Sequence, residues 1–131
     1  MNLSKEKAFA IVGIRMGKVD GNFSTAEINR LVDVADANGL DLNLVVAACK
    51  EELENPCDFA EVLASIKDEE IRDICFFGAC RVAAADDVLS LKELQRIFAI
   101  ADVWDWSGAY VAIKILKMLK KCPELKVEGI D

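Results

Sequence analysis

The sequence predicts an all-α fold, a single bundle of about seven helices built from two similar halves, and three observations predict it. Residues 4–45 recur without a gap at 70–111, an offset of 66 positions. Each half opens a helix with a serine capping box, Ser24-x-x-Glu27 and Ser90-x-x-Glu93. Two prolines and no alternating β-branched run leave no credible strand. Identity survives across the offset at Arg15/Arg81, Asp20/Asp86, Ser24/Ser90, Glu27/Glu93, Arg30/Arg96, Ala35/Ala101, Asp36/Asp102 and Val45/Val111.

The elements follow in order. Ser4 is an N-cap for a first helix with Phe9, Val12 and Met16 on one face, ending near Gly17. The box at Ser24 starts a second helix, where Ile28, Leu31, Val32 and Ala35 fall on one face of a 3.6-residue period; Gly39 supplies the positive φ that stops it. Asp41 caps a third, through Leu44, Val45, Ala48 and Cys49 to Leu53, closed by Asn55-Pro56. Asp58 opens a short fourth helix with Phe59, Val62, Leu63 and Ile66, which has no counterpart in the repeat and bridges the halves. Asp68 then caps a fifth, through Ile71, Ile74, Cys75, Gly78 and Val82. Ser90 starts a sixth with Leu94, Ile97, Phe98 and Ala101, and Ser107 a seventh bearing Ala109, Ala112, Ile113 and Leu116.

At 131 residues, 53% of them hydrophobic, the chain suits one domain spanning 1–131. The balance of 16 basic against 23 acidic residues repels phosphates, which argues against nucleic acid and disfavours an anionic membrane surface. There is no histidine, so Ser-His and Cys-His nucleophiles and imidazole ligands are excluded. The five cysteines form no CxxC pair and read as reduced, mostly buried side chains. With no secretion signal or membrane span, the expected compartment is the cytoplasm.

The chemistry the repeat could carry lies in its acids. Asp20 and Asp86 precede the capping serines by four residues, and Glu27 and Glu93 stand on the first turn of the helices that follow. Carboxylates grouped at short turns suit hard cations such as Ca²⁺ and Mg²⁺, which need several oxygens and enough negative charge to offset dehydration. Met16 through Glu27 is not an EF-hand: with Asp20-Gly21-Asn22 on the third to fifth positions of the loop, the first ligand becomes Lys18 and the terminal glutamate arrives two residues early. Capping alone accounts for Glu27 and Glu93, and turn chemistry for Asp20 with Gly21. The doubling is what favours metal, because a twofold relation could bring equivalent carboxylates together.

Val19-Asp20-Gly21, Ser24-x-x-Glu27 and Leu31-Val32-x-Val34-Ala35, echoed at Ala85-Asp86, Ser90-x-x-Glu93 and Ile100-Ala101, resemble the TerB-like domain named for bacterial tellurite resistance. A related module stands at the N-terminus of a DjlA-type membrane-anchored co-chaperone. The resemblance covers roughly residues 4–120. It implies an all-helical bundle of two similar halves, a cytoplasmic bacterial setting and a stress-linked accessory role, with metal chelation falling by motif match on Asp20, Glu27, Asp86 and Glu93. The chain departs from the pattern at Asp87, where the family usually carries glycine; this alters the turn and adds an oxygen ligand to the candidate metal set.

Three further features bear on partners. Lys114, Lys117, Lys120 and Lys121 make a basic amphipathic end that complements a helix dipole or meets a partner. Trp104 and Trp106 at the last helix junction are expected as core plugs, with an exposed hot spot as the alternative. Asp68-Glu69-Glu70 reads as a cap and solvated face. The function expected is a non-enzymatic, TerB-like stress-response domain that binds a divalent cation, Ca²⁺ or Mg²⁺ being most compatible, and has a protein partner the sequence does not identify. Its rivals are a metal-free protein-interaction adaptor and a carboxylate-based metal hydrolase, the latter discouraged by the absence of any histidine or nucleophile signature.

Overall fold

A computed structural model of the chain describes residues 3–17 and 24–129. Seven helices carry it: α1 (Lys5–Gly17), α2 (Thr25–Ala37), α3 (Leu42–Glu54), α4 (Phe59–Ser65), α5 (Glu69–Ala83), α6 (Leu91–Val103) and α7 (Gly108–Lys121). Each begins where a side chain takes up an orphan amide. Ser24 Oγ accepts from the Glu27 N–H at 3.1 Å while Glu27 Oε1 accepts from the Ser24 N–H at 2.8 Å. Ser90 and Glu93 form the same reciprocal pair at the same distances. Ser4, Asp41, Asp58, Asp68 and Ser107 each accept from an amide of the following turn.

Helix α1 is apolar nearly all round, and it is accordingly the central element, packed most extensively on α5 and α3. Two glycines let it be approached closely. A Cβ on Gly78 would lie 2.3 Å from the Phe9 ring, and one on Gly13 would lie 2.7 Å from Leu31. Side chains from all seven helices join one buried core, among them Phe9, Leu31, Val45, Leu63, Cys80, Ile97 and Val111. Trp104 is a core plug, 3% exposed, and its indole N–H donates to the Leu63 carbonyl at 2.9 Å, tying the end of α6 to α4.

One helix pair keeps the 66-residue offset at both ends: α2 and α6 begin and end in register, and Gly39 and Asp105, also 66 apart, both adopt left-handed φ, 69° and 58°, whereas α1 and α5 begin 64 residues apart. The packing does not recur as closely, since α1 lies tightly on α3 whereas a cleft separates α5 from α7. Bulk accounts for the difference: Phe76 and Lys114 line that cleft, and the residues 66 positions earlier are Ala10 and Ala48.

Two sequence expectations need correction. A short parallel pair exists, β1 (Val88–Leu89) with β2 (Lys126–Val127), formed as the chain returns after α7 and hydrogen-bonds to the turn before α6. Two residues per strand are too few for any pattern to announce them. The second correction concerns the outer helices. Ala109, Ala112, Ile113 and Leu116 of α7 are exposed, and Val111, Ile115 and Met118 are buried instead. Both sets have helical spacing, and burying the set without the two alanines removes more apolar surface from water. In α2 and α3, Ile28, Leu44 and Leu53 are likewise exposed, while Val34 and Val45 face the core.

Candidate functional site

Helices α1 and α5 run parallel, because Phe9 lies against Gly78 and Gly13 against Val82, the contacts stepping the same way along both. The two helices therefore end at one end of the bundle, where α6 begins a few residues after α5. Asp87 in that intervening turn has φ 65°, an uncommon value for a residue with a Cβ, and its Oδ1 accepts from Arg30 Nη2 of α2 at 3.3 Å. The second helix is thus tied to the turn that carries Asp86 and Asp87.

Each expected acid has a local role there. Glu27 and Glu93 each commit one oxygen to their own cap amide. Asp86 Oδ1 accepts from the Val88 N–H at 3.1 Å, an Asx turn, and Asp87 meets Arg30. Asp20 lies outside the described residues. Among the described residues no group of three or more His, Cys, Asp or Glu side chains could hold a metal ion, so those residues do not by themselves fit a Ca²⁺ or Mg²⁺ centre.

A pair the sequence did not single out lies between α1 and α3. Arg15 Nε donates to Glu52 Oε2 at 2.8 Å, its Nη2 donates to the Cys57 carbonyl, and the guanidinium sits over the Phe59 ring. The Glu52 side chain is 4% exposed, and Glu52 Oε1 also accepts from the Cys57 N–H at 3.1 Å. Arg81, 66 positions later, is more deeply buried, its side chain 5% exposed against 28% for Arg15, but poorly served: Nη2 reaches Glu124 at 3.4 Å and Nη1 has no partner among the described residues. A lone arginine inside an apolar run was the only signal for either.

Helix α7 exposes large apolar side chains among lysines. Ile113 is 50% and Leu116 is 65% exposed, and Tyr110 and Ala112 are exposed beside them. The helix carries four lysines and no acid. Lys114 is used internally: its Nζ meets Asp73 Oδ1 of α5 at 2.5 Å and lies 4.9 Å from the centroids of both Trp106 and Tyr110. Partial desolvation pulls its pKa down, but the Asp73 carboxylate and the Tyr110 hydroxyl outweigh that and hold it above the usual lysine value. Lys117, Lys120 and Lys121 stay in solvent without an ion pair among the described residues. Lys117 and Lys121 also edge the α5–α7 cleft, of about 230 Å³, whose floor is Phe76, Phe77 and Met118.

A second surface is apolar. Between α2 and α3, floored by Ile14 of α1, lies a groove of about 330 Å³ lined by Ile28, Leu31, Val46, Cys49 and Leu53. The sequence did not point to it, because the periodicity assigned Ile28, Leu31, Cys49 and Leu53 to a core. Among the described residues no helix is long and apolar enough to cross a membrane.

A family model described as "Tellurite resistance protein TerB" matches residues 6–109. No curated protein and no solved structure matches the chain.

Proposed function

Taking as premise that the chain belongs to the tellurite resistance protein TerB family, we propose that it is a non-enzymatic accessory domain of a tellurite-linked stress response that acts by binding another protein. The observation that carries this reading is α7, where Tyr110, Ile113 and Leu116 stand in solvent beside lysines that have no ion pair among the described residues. A solvated helix needs neither exposed Ile113 nor exposed Leu116. A cytoplasmic setting belongs to the same reading and is supported by five free cysteines, which persist in a reducing compartment. The test is affinity capture from tellurite-challenged cells, with partners identified by mass spectrometry. The parent should retain a partner that Ile113→Asp/Leu116→Asp loses; the same partner set with both would end the reading.

A second reading, a Ca²⁺ or Mg²⁺ ion at the acid-bearing end, is supported by the parallel packing of α1 on α5 and by the Arg30–Asp87 tie, which bring the start of α2 to the second acidic turn. It calls on Asp20 together with Glu27, Asp86, Asp87 and Glu93. A cation bound only by the native state raises the melting temperature by mass action. Asp20→Asn and Asp86→Asn should each reduce that rise and leave metal-free stability nearly unchanged. A parent whose melting temperature ignores millimolar divalent ions would exclude the site.

A further inference from the structure

We propose that α7, the surface on which the interaction reading above rests, also binds a second copy of this chain: Ile113 and Leu116 on α7 of one copy seat in the apolar groove between α2 and α3 of the next. Both halves of the contact are visible in one molecule. The knobs are aliphatic and more than half in solvent taken together, and the groove of about 330 Å³ is rimmed by Ile28, Val46 and Leu53, all exposed. That volume is about twice the roughly 150 Å³ void that takes up benzene, so two aliphatic side chains fit.

Charge selects the pairing. Helix α7 carries four lysines and no acid, whereas α2 and α3 together carry five carboxylates that reach solvent, the buried Glu52 apart, against Arg30 and Lys50. Two α7 helices face to face would oppose lysine to lysine, and two α2–α3 faces would oppose carboxylate to carboxylate. The head-to-tail arrangement brings Lys117, Lys120 and Lys121 towards Glu54, which lines the groove beside Lys50, and towards Asp33, Asp36 and Glu51 on the same two helices, while burying the aliphatic residues of both surfaces. An anionic membrane fits less well, because the chain as a whole carries a net charge of −7. A heterologous contact of this kind closes into a ring or propagates as an open chain, depending on the rotation it imposes.

The experiment uses the purified full chain alone, by sedimentation equilibrium across a micromolar-to-millimolar series at low and high salt. The parent's mass should rise above the monomer with concentration and fall back as salt screens the lysine–carboxylate pairs. Leu116→Asp and Val46→Asp change exposed positions and should each give a folded monomer by circular dichroism. Mixed in equal amounts they should form a one-to-one complex, since the intact α7 of the Val46→Asp chain meets the intact groove of the Leu116→Asp chain. A parent that stays monomeric throughout, association that survives either substitution, or a mixture that stays monomeric would each overturn the proposal. Sedimentation of a monomeric parent with phosphatidylglycerol vesicles, lost in Leu116→Asp, would assign α7 to a membrane instead. Capture of a different protein through α7 by a chain that is monomeric alone would overturn self-association and leave the interaction reading standing; self-association without any captured partner would do the reverse.

Discussion

Arg15 and Arg81 occupy corresponding positions in the two halves, and their surroundings give opposite consequences to one substitution. Arg15→Met strips the buried Glu52 carboxylate of its countercharge and should cost about 3 kcal/mol. Arg81→Met removes a buried guanidinium whose Nη1 has no partner among the described residues and whose contact to exposed Glu124 is long, so stability should be unchanged or rise by about 1 kcal/mol. Urea midpoints of the two variants measure the contrast, and equal losses would show that Arg81 is as well paired as Arg15. The sequence displayed both arginines and their equivalence. It could not display their partners, because Glu52 is 37 and Glu124 is 43 residues away along the chain.

At the scale of the elements, local chemistry was legible because it is short-range. Ser24 and Ser90 cap α2 and α6 with both bonds of the box made, and Ser24→Ala and Ser90→Ala should each cost about 0.5–2 kcal/mol. Urea midpoints equal to the parent's would show the boxes to be ornamental. Which face of a helix turns inward was less legible, since α7 offers two apolar stripes of the same period. Neighbouring bulk decides: Val111, Ile115 and Met118 fill the core, and Lys114 is held over Trp106 and Tyr110 by Asp73 on α5. The expected acids show the same limit. Their capping and turn roles could be read from four-residue windows, while the tie between Asp87 and Arg30 depends on how α2 lies against the end of α5.

For the whole molecule, the burial that makes the core also sets its response to alkali. Burial pushes the Cys75 and Cys80 thiols up to about 12 from the ordinary 9.0. A thiol whose folded pKa is raised holds its proton more tightly folded than unfolded. Its contribution is complete below pH 9 and is lost as pH climbs from there towards 12. Thermal midpoints should decline across that window less steeply in Cys75→Ala/Cys80→Ala, and in the parent at pH 8 iodoacetamide should leave both thiols unmodified until the chain unfolds; prompt native-state alkylation would contradict their burial. By itself the sequence determined the all-α class, the number of helices, their caps and the two serine boxes 66 residues apart, because these depend on hydrogen bonds and periodicities within a few residues. Only the tertiary structure decided which apolar stripes are spent on the core and which remain in solvent, and hence that α7 and the α2–α3 groove expose apolar side chains. Burial depends on which helices become neighbours, and the α5–α7 cleft against the tight α1–α3 contact shows that segments similar in sequence can still pack differently when Phe76 and Lys114 stand 66 positions after Ala10 and Ala48.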